Sequence, residues 1–138
     1  MTSAAVVENK ISAVKKYLNI LKRYGKYSKK EITNNLDIRG AVERYLYLAA
    51  QSTIDLAEAI IALRKFRKPS TMSESFAILE EEDVISKKLL GRMVQLTGFR
   101  NVMAHDYEKV DYDIVYDVLH HGVEDIKKFL SAVSKTLR

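Results

Sequence analysis

Between Val42 and the break at Arg67-Lys68-Pro69, apolar residues return about every 3.5 positions: Val42, Leu46, Ala49, Thr53, Leu56, Ile60 and Leu63. A second set, Ile38, Ala41, Tyr45, Leu48 and Ile61, widens that stripe. A helix that is apolar on two sides is either enclosed by neighbours or shared with a partner, so the rest of the chain must cover it. The remaining sequence suits that task. It has one proline and five glycines in 138 residues and is 47% apolar, enough for one helical domain over residues 1–138 with a single core.

Val7, Ile11, Val14, Leu18 and Leu21 mark one face of a first helix that ends near Tyr24-Gly25. Ser28-Lys-Lys-Glu31 fits a capping box, so the long second helix is expected to start there. After the Pro69 loop, Ser73 can cap a short helix carrying Phe76, Ile78 and Leu79. The acids from Glu80 to Asp83 can cap the next helix, from about Val84, whose stripe is Ile85, Leu89, Met93 and Leu96. Asp111 is positioned to cap a last helix through Val115, Leu119, Gly122, Ile126, Phe129 and Val133. The expected fold is all-α: an up-and-down four-helix bundle with an additional short helix.

Cysteine is absent, which removes disulfides, thiolate metal sites and cysteine nucleophiles. The N-terminus lacks a leader pattern and no uninterrupted apolar run reaches bilayer length, so the chain reads as cytoplasmic, with no membrane partner. Residues 1–30 hold eight basic side chains against the single acid Glu8. That end therefore carries +7 where the whole chain carries +5, leaving −2 for the remainder. Such an end attracts phosphate backbones without reading sequence; a solvated helix face is the plainer explanation. Asp117-Val-Leu-His120 has the spacing of a carboxylate–histidine ligand pair, yet the matching pair and further carboxylates of a di-iron bundle are missing, and no metal site is expected.

The chemistry-bearing stretch is Gly98 to Tyr107, GFRNVMAHDY, at the end of an apolar helical run. Asn101 and His105 share one face of an ideal helix, Arg100 and Tyr107 another, and Arg100 and His105 stand about 140° apart. To act on one small target, either the helix loosens near Gly98 or a second surface completes the site. Residue types alone also admit a structural network, with Asn101 as a cap, His105 bonded to a carbonyl, Tyr107 at a core edge and Arg100 paired with Asp106 or Asp111.

The order of these residues resembles a known family. Arg100-Asn101-x-x-x-His105-x-Tyr107 is similar to the R-x4-6-H signature of HEPN domains and, in its longer form, to the HepT-like toxins; Gly98-Phe99 and Asp111-Tyr112-x-x-Val115-Tyr116 look like the same branch. The resemblance implies a homodimeric toxin of a toxin–antitoxin pair, a metal-independent endoribonuclease without cofactor, whose partner is a nucleotidyltransferase antitoxin and whose substrate is RNA. Arg100 and His105 of both protomers would then meet at the dimer interface. Arg100 would stabilise charge on the phosphate, and His105, an imidazole titrating near neutrality, would move the proton. Asn101 would orient His105 or bond the phosphate, and Tyr107 would position RNA. The resemblance also implies transfer of AMP to Tyr107 as a control. A non-catalytic helical domain that binds nucleotide or assists a nucleotidyltransferase is the competing reading, and a purely structural dimerisation bundle the third.

Overall fold

The computed structural model describes residues 2–105 and 107–137, except for the side chain of Tyr107. Among the described residues all regular structure is helical. The elements are α1 (Ser3–Leu21), α2 (Lys29–Asn34), α3 (Leu36–Arg64), α4 (Met72–Glu81), α5 (Lys87–His105), α6 (Tyr112–Asp117) and α7 (Val123–Leu137). A π-helical turn, Val118–Gly122, joins α6 to α7 into one continuous rod. Four long rods therefore make the bundle, as expected, but two short helices accompany them rather than one.

The 29-residue α3 is the axis, with α1, α4 and α5 laid against it. Its predicted stripe is buried from Val42 to Ile60, and only Leu63 is half-buried. By mean hydropathy one window of α3 is long and apolar enough to cross a bilayer, although it is not an uninterrupted apolar run. Because 61% of that window is buried inside the fold, its apolarity is explained by core packing. Phe76 of α4 and Phe129 of α7 close the core edge to face, with ring centroids 5.4 Å apart.

Several helix starts differ from the sequence-based expectation. The Ser28–Glu31 capping box forms, with Ser28 accepting from the Glu31 amide at 3.1 Å and Glu31 from the Ser28 amide at 3.0 Å. Yet the helix it opens ends after one and a half turns. Asn35 adopts an extended backbone and its side-chain oxygen accepts from the amides of Asp37 and Ile38, which starts α3 afresh. In α4 the cap is Thr71, not Ser73: Thr71 accepts from the Glu74 amide at 3.1 Å. The acidic run after α4 caps nothing. Asp83 turns into the left-handed region at φ 58°, and Ser86 accepts from the Leu89 amide at 3.1 Å to begin α5. Asp111 does cap α6, accepting from the Asp113 amide at 2.8 Å.

The π turn has a local cause. A Cβ on Gly122 would stand 2.8 Å from Cγ1 of Val118, one turn earlier. Glycine avoids that contact. The same turn separates the adjacent histidines: His121 pairs its Nδ1 with Asp117 at 2.8 Å, whereas His120 lies against the Tyr116 ring with its Nε2 buried and unbonded. The Asp117–His120 pairing is thus not made, and His120 is packed against Tyr116.

Candidate functional site

α5 remains a regular helix through Gly98 and up to His105, so the chain does not loosen to bring Arg100 and His105 onto one side. Arg100 leans toward α3. Its Nε donates to Oε1 of Gln51 at 2.6 Å, its Nη1 donates to Oδ1 of Asn101 at 3.1 Å, and its guanidinium carbon lies 5.6 Å from the centroid of the Tyr47 ring. A charge-assisted hydrogen bond and a cation–π contact together hold a flexible side chain in one direction. The Gln51 amide is itself oriented, because its Nε2 donates to Asp55 at 2.9 Å. Lys10 of α1 stands 3.9 Å from Asp55 at the far end of this relay.

His105, the last residue of α5, is exposed and has no hydrogen bond to Arg100 among the described residues. Asn101 is exposed on the helix surface, bonded to Arg100 rather than acting as a cap. Tyr107 opens a short 3-10 turn, Tyr107–Lys109, while its side chain and all of Asp106 lie outside the described residues. Asp111, the other acid considered for Arg100, is occupied as the α6 cap. One helix therefore offers a fixed cation and an exposed imidazole on different sides, and among the described residues the cation's remaining N–H groups have no further acceptor.

Neighbouring elements set the site's rim. Tyr112 of α6 donates to Oε1 of the buried Glu43 on α3 at 2.7 Å, and Arg39 covers the Tyr112 ring at 5.3 Å while standing 3.5 Å from the same carboxylate. This anchors α6 beside the turn that follows His105. Arg44, also on α3, lies 6.0 Å from the Tyr47 ring centroid. Arg44, Tyr47 and Gln51 were absent from the sequence-derived site. They stand about fifty positions before the motif, and their only signal is polar or aromatic chemistry at steps of three and four on an otherwise apolar helix.

Also bordering α5, a groove of about 510 Å³ runs between α5 and the α6–α7 rod, lined by Leu96, Phe99, Val102, Val110, Ile114 and Val118 among others. Val102 and Ile114 are 39% and 53% exposed.

Comparison with known proteins agrees with this architecture. The profile of the family described as "Ribonuclease HepT-like" matches residues 14–133. An mRNA nuclease HepT from Shewanella oneidensis is 26% identical over 129 residues, covering 93% of this chain and 96% of the relative. A tRNA nuclease HepT from Aphanizomenon flos-aquae is 22% identical over 132 residues, covering 96% and 90%. Among solved structures, a tri-AMPylated Shewanella oneidensis HEPN toxin in complex with MNT antitoxin superposes with a TM-score of 0.85 at 23% identity, over 94% of this chain and 97% of that one. A cytosolic protein of unknown function from Bacillus subtilis, YutE, shares the fold with a TM-score of 0.83 at 16% identity, over 97% and 90%. A family profile spanning most of the bundle, together with the Arg100 to Tyr107 motif at the end of α5, shows that the chain belongs to the HepT-like ribonuclease family.

Proposed function

We propose that this protein is the toxin of a HEPN/MNT toxin–antitoxin pair and a metal-independent endoribonuclease acting in the cytoplasm. The observation that carries the reading is the pre-aimed Arg100 guanidinium, held by Gln51 and Tyr47 on the helix that ends in the exposed His105. In the reaction, a ribose 2′-hydroxyl attacks its neighbouring phosphodiester and the 5′-oxygen leaves, giving a 2′,3′-cyclic phosphate. An imidazole takes the 2′-hydroxyl proton and an imidazolium returns one to the leaving oxygen. Arg100 offers N–H donors to the phosphate as its charge grows. Restriction to RNA follows from the need for the 2′-hydroxyl.

Because α5 stays helical, the two roles on one phosphate are best met by two copies. A two-fold axis beside α5 would bring Arg100 and His105 of both protomers into one cleft, with the apolar groove between α5 and α6 as the contact surface. The antitoxin partner would be a nucleotidyltransferase, a reading supported by the relative found in complex with MNT antitoxin. Transfer of AMP to the Tyr107 hydroxyl, with release of pyrophosphate from ATP, would add a phosphate and an adenosine to the motif and block RNA. The AMPylated state of that relative supports this control.

The test uses purified wild type, Arg100→Ala and His105→Ala with bulk RNA in excess chelator, followed by mapping of the fragment ends. Cleavage to cyclic phosphate ends by wild type alone is the expected result. Equal inactivity of all three, with unchanged melting, would replace the nuclease by a nucleotide-binding partner domain.

A further inference from the structure

Gly40, in the second turn of α3, has open space where a Cβ would stand and no backbone angle that demands glycine. Glycine inside a helix is less favourable than alanine, so the missing side chain is not explained by the helix itself. It borders a cavity of about 390 Å³ whose other walls are Glu43, Arg44, Tyr47, Met103 and Ala104. The cavity lies between α3 and the last turn of α5, and Ala104 immediately precedes His105.

Its chemistry is cationic and aromatic. Arg44 and Arg100 both lie over the Tyr47 ring, at 6.0 and 5.6 Å from its centroid. Arg44 is exposed and has no carboxylate within ion-pair distance among the described residues. The one acid in the wall, Glu43, is engaged by Tyr112 and Arg39, so its charge is answered within the fold. Both guanidiniums border the same ring and each can donate to phosphate oxygens, and the volume lies in the usual range for small-ligand sites.

We propose that this cavity is a nucleotide subsite of the RNA-cleaving centre. Arg44 holds the phosphate next to the one engaged by Arg100, and the attached nucleoside fills the space over Gly40. The inference rests on RNA being the substrate, and it makes Gly40 and Arg44 binding residues outside the motif at the end of α5.

The probe is a mixed-sequence single-stranded 2′-O-methyl RNA, which binds but lacks the attacking hydroxyl. Its affinity is measured for wild type, Gly40→Leu, Arg44→Ala and Arg44→Lys across a salt series, beside cleavage of unmodified RNA. Gly40→Leu is expected to melt no lower than wild type, because leucine is the better helix former, and to bind about tenfold more weakly. Arg44→Ala is expected to weaken binding similarly and to lower the slope of log affinity against log salt by about 0.7, the loss of one phosphate contact on a single strand. Arg44→Lys should restore that slope, and in cleavage KM should rise while kcat stays near wild type in both binding-deficient variants. Unchanged affinity in Gly40→Leu and Arg44→Ala, with RNA still cut, overturns the subsite alone. Weakened affinity in both, with no cutting by wild type, keeps the subsite and overturns the ribonuclease reading.

Discussion

Arg100 is aimed by residues fifty positions away. Gln51 supplies the acceptor for its Nε, Asp55 fixes which end of the Gln51 amide faces it, and Tyr47 supports the guanidinium plane. A hydrogen bond to a charged group contributes about 1.5–3 kcal/mol, and in the proposed reaction loss of orientation is felt mainly as charge develops on the phosphate. Gln51→Ala is therefore expected to lower kcat by about ten- to a hundredfold with KM little changed, whereas Gln51→Glu, which keeps an oxygen toward Arg100, retains most of the rate. Single-turnover cleavage separates the two. Equal losses in both variants, or a loss that appears only in KM, would remove Gln51 as a positioning residue. The motif from Arg100 to Tyr107 stands out in the sequence, because unlike polar groups crowd one helix end. Its support does not, since nothing local to Gln51 says which helix it will face.

At the level of elements, short side chains decide where helices stop and how they join. Gly122→Ala should destabilise the fold by about 1–3 kcal/mol despite alanine's better helix propensity, because its Cβ meets the stiff Val118 side chain. Adding Val118→Ala should recover part of the loss, a coupling that urea melts of the two single variants and the double would register. Gly91 and Gly98 of α5 have open space instead, so alanine there should be neutral or stabilising by up to about 1 kcal/mol. The α2 cap adds a pH signature. Hydrogen bonds from the Ser28 backbone amide and then its hydroxyl hold the Glu31 carboxyl below its ordinary value. A depressed folded-state pKa means stability that is complete above the unfolded value, about 4.3, and is lost as pH falls through the lower folded value. Glu31→Gln should remove that part of the acid dependence of melting; identical wild-type and variant profiles below pH about 4.3 would show that the box is not formed in solution. Stripe positions forecast the long helices well. The break at Asn35 escaped notice because Asn34-Asn35 interrupts no apolar period, and its extended backbone emerges only when Asn35 caps α3.

For the whole molecule, the proposed dimer ties assembly to activity. Ile114→Glu places a charge in the apolar groove without touching Arg100, and should shift sedimentation from dimer to monomer while cleavage falls with it. A variant that remains dimeric and active would exclude this groove as the interface. The α3 stripe, the lack of cysteine and the scarcity of turns dictate a helical bundle around one enclosed rod, because apolar periodicity fixes which face of each helix leaves water. The motif likewise singles out the C-terminal end of α5 as the proposed site before any packing is considered. Tertiary structure alone decides that Arg100 meets Gln51 and Tyr47, that α5 runs unbroken past Gly98, and that Gly40 borders a cavity beside Arg44. Those pairings depend on how helices distant in sequence rotate about their axes as they dock. The registry of interlocking side chains across the whole core sets that rotation.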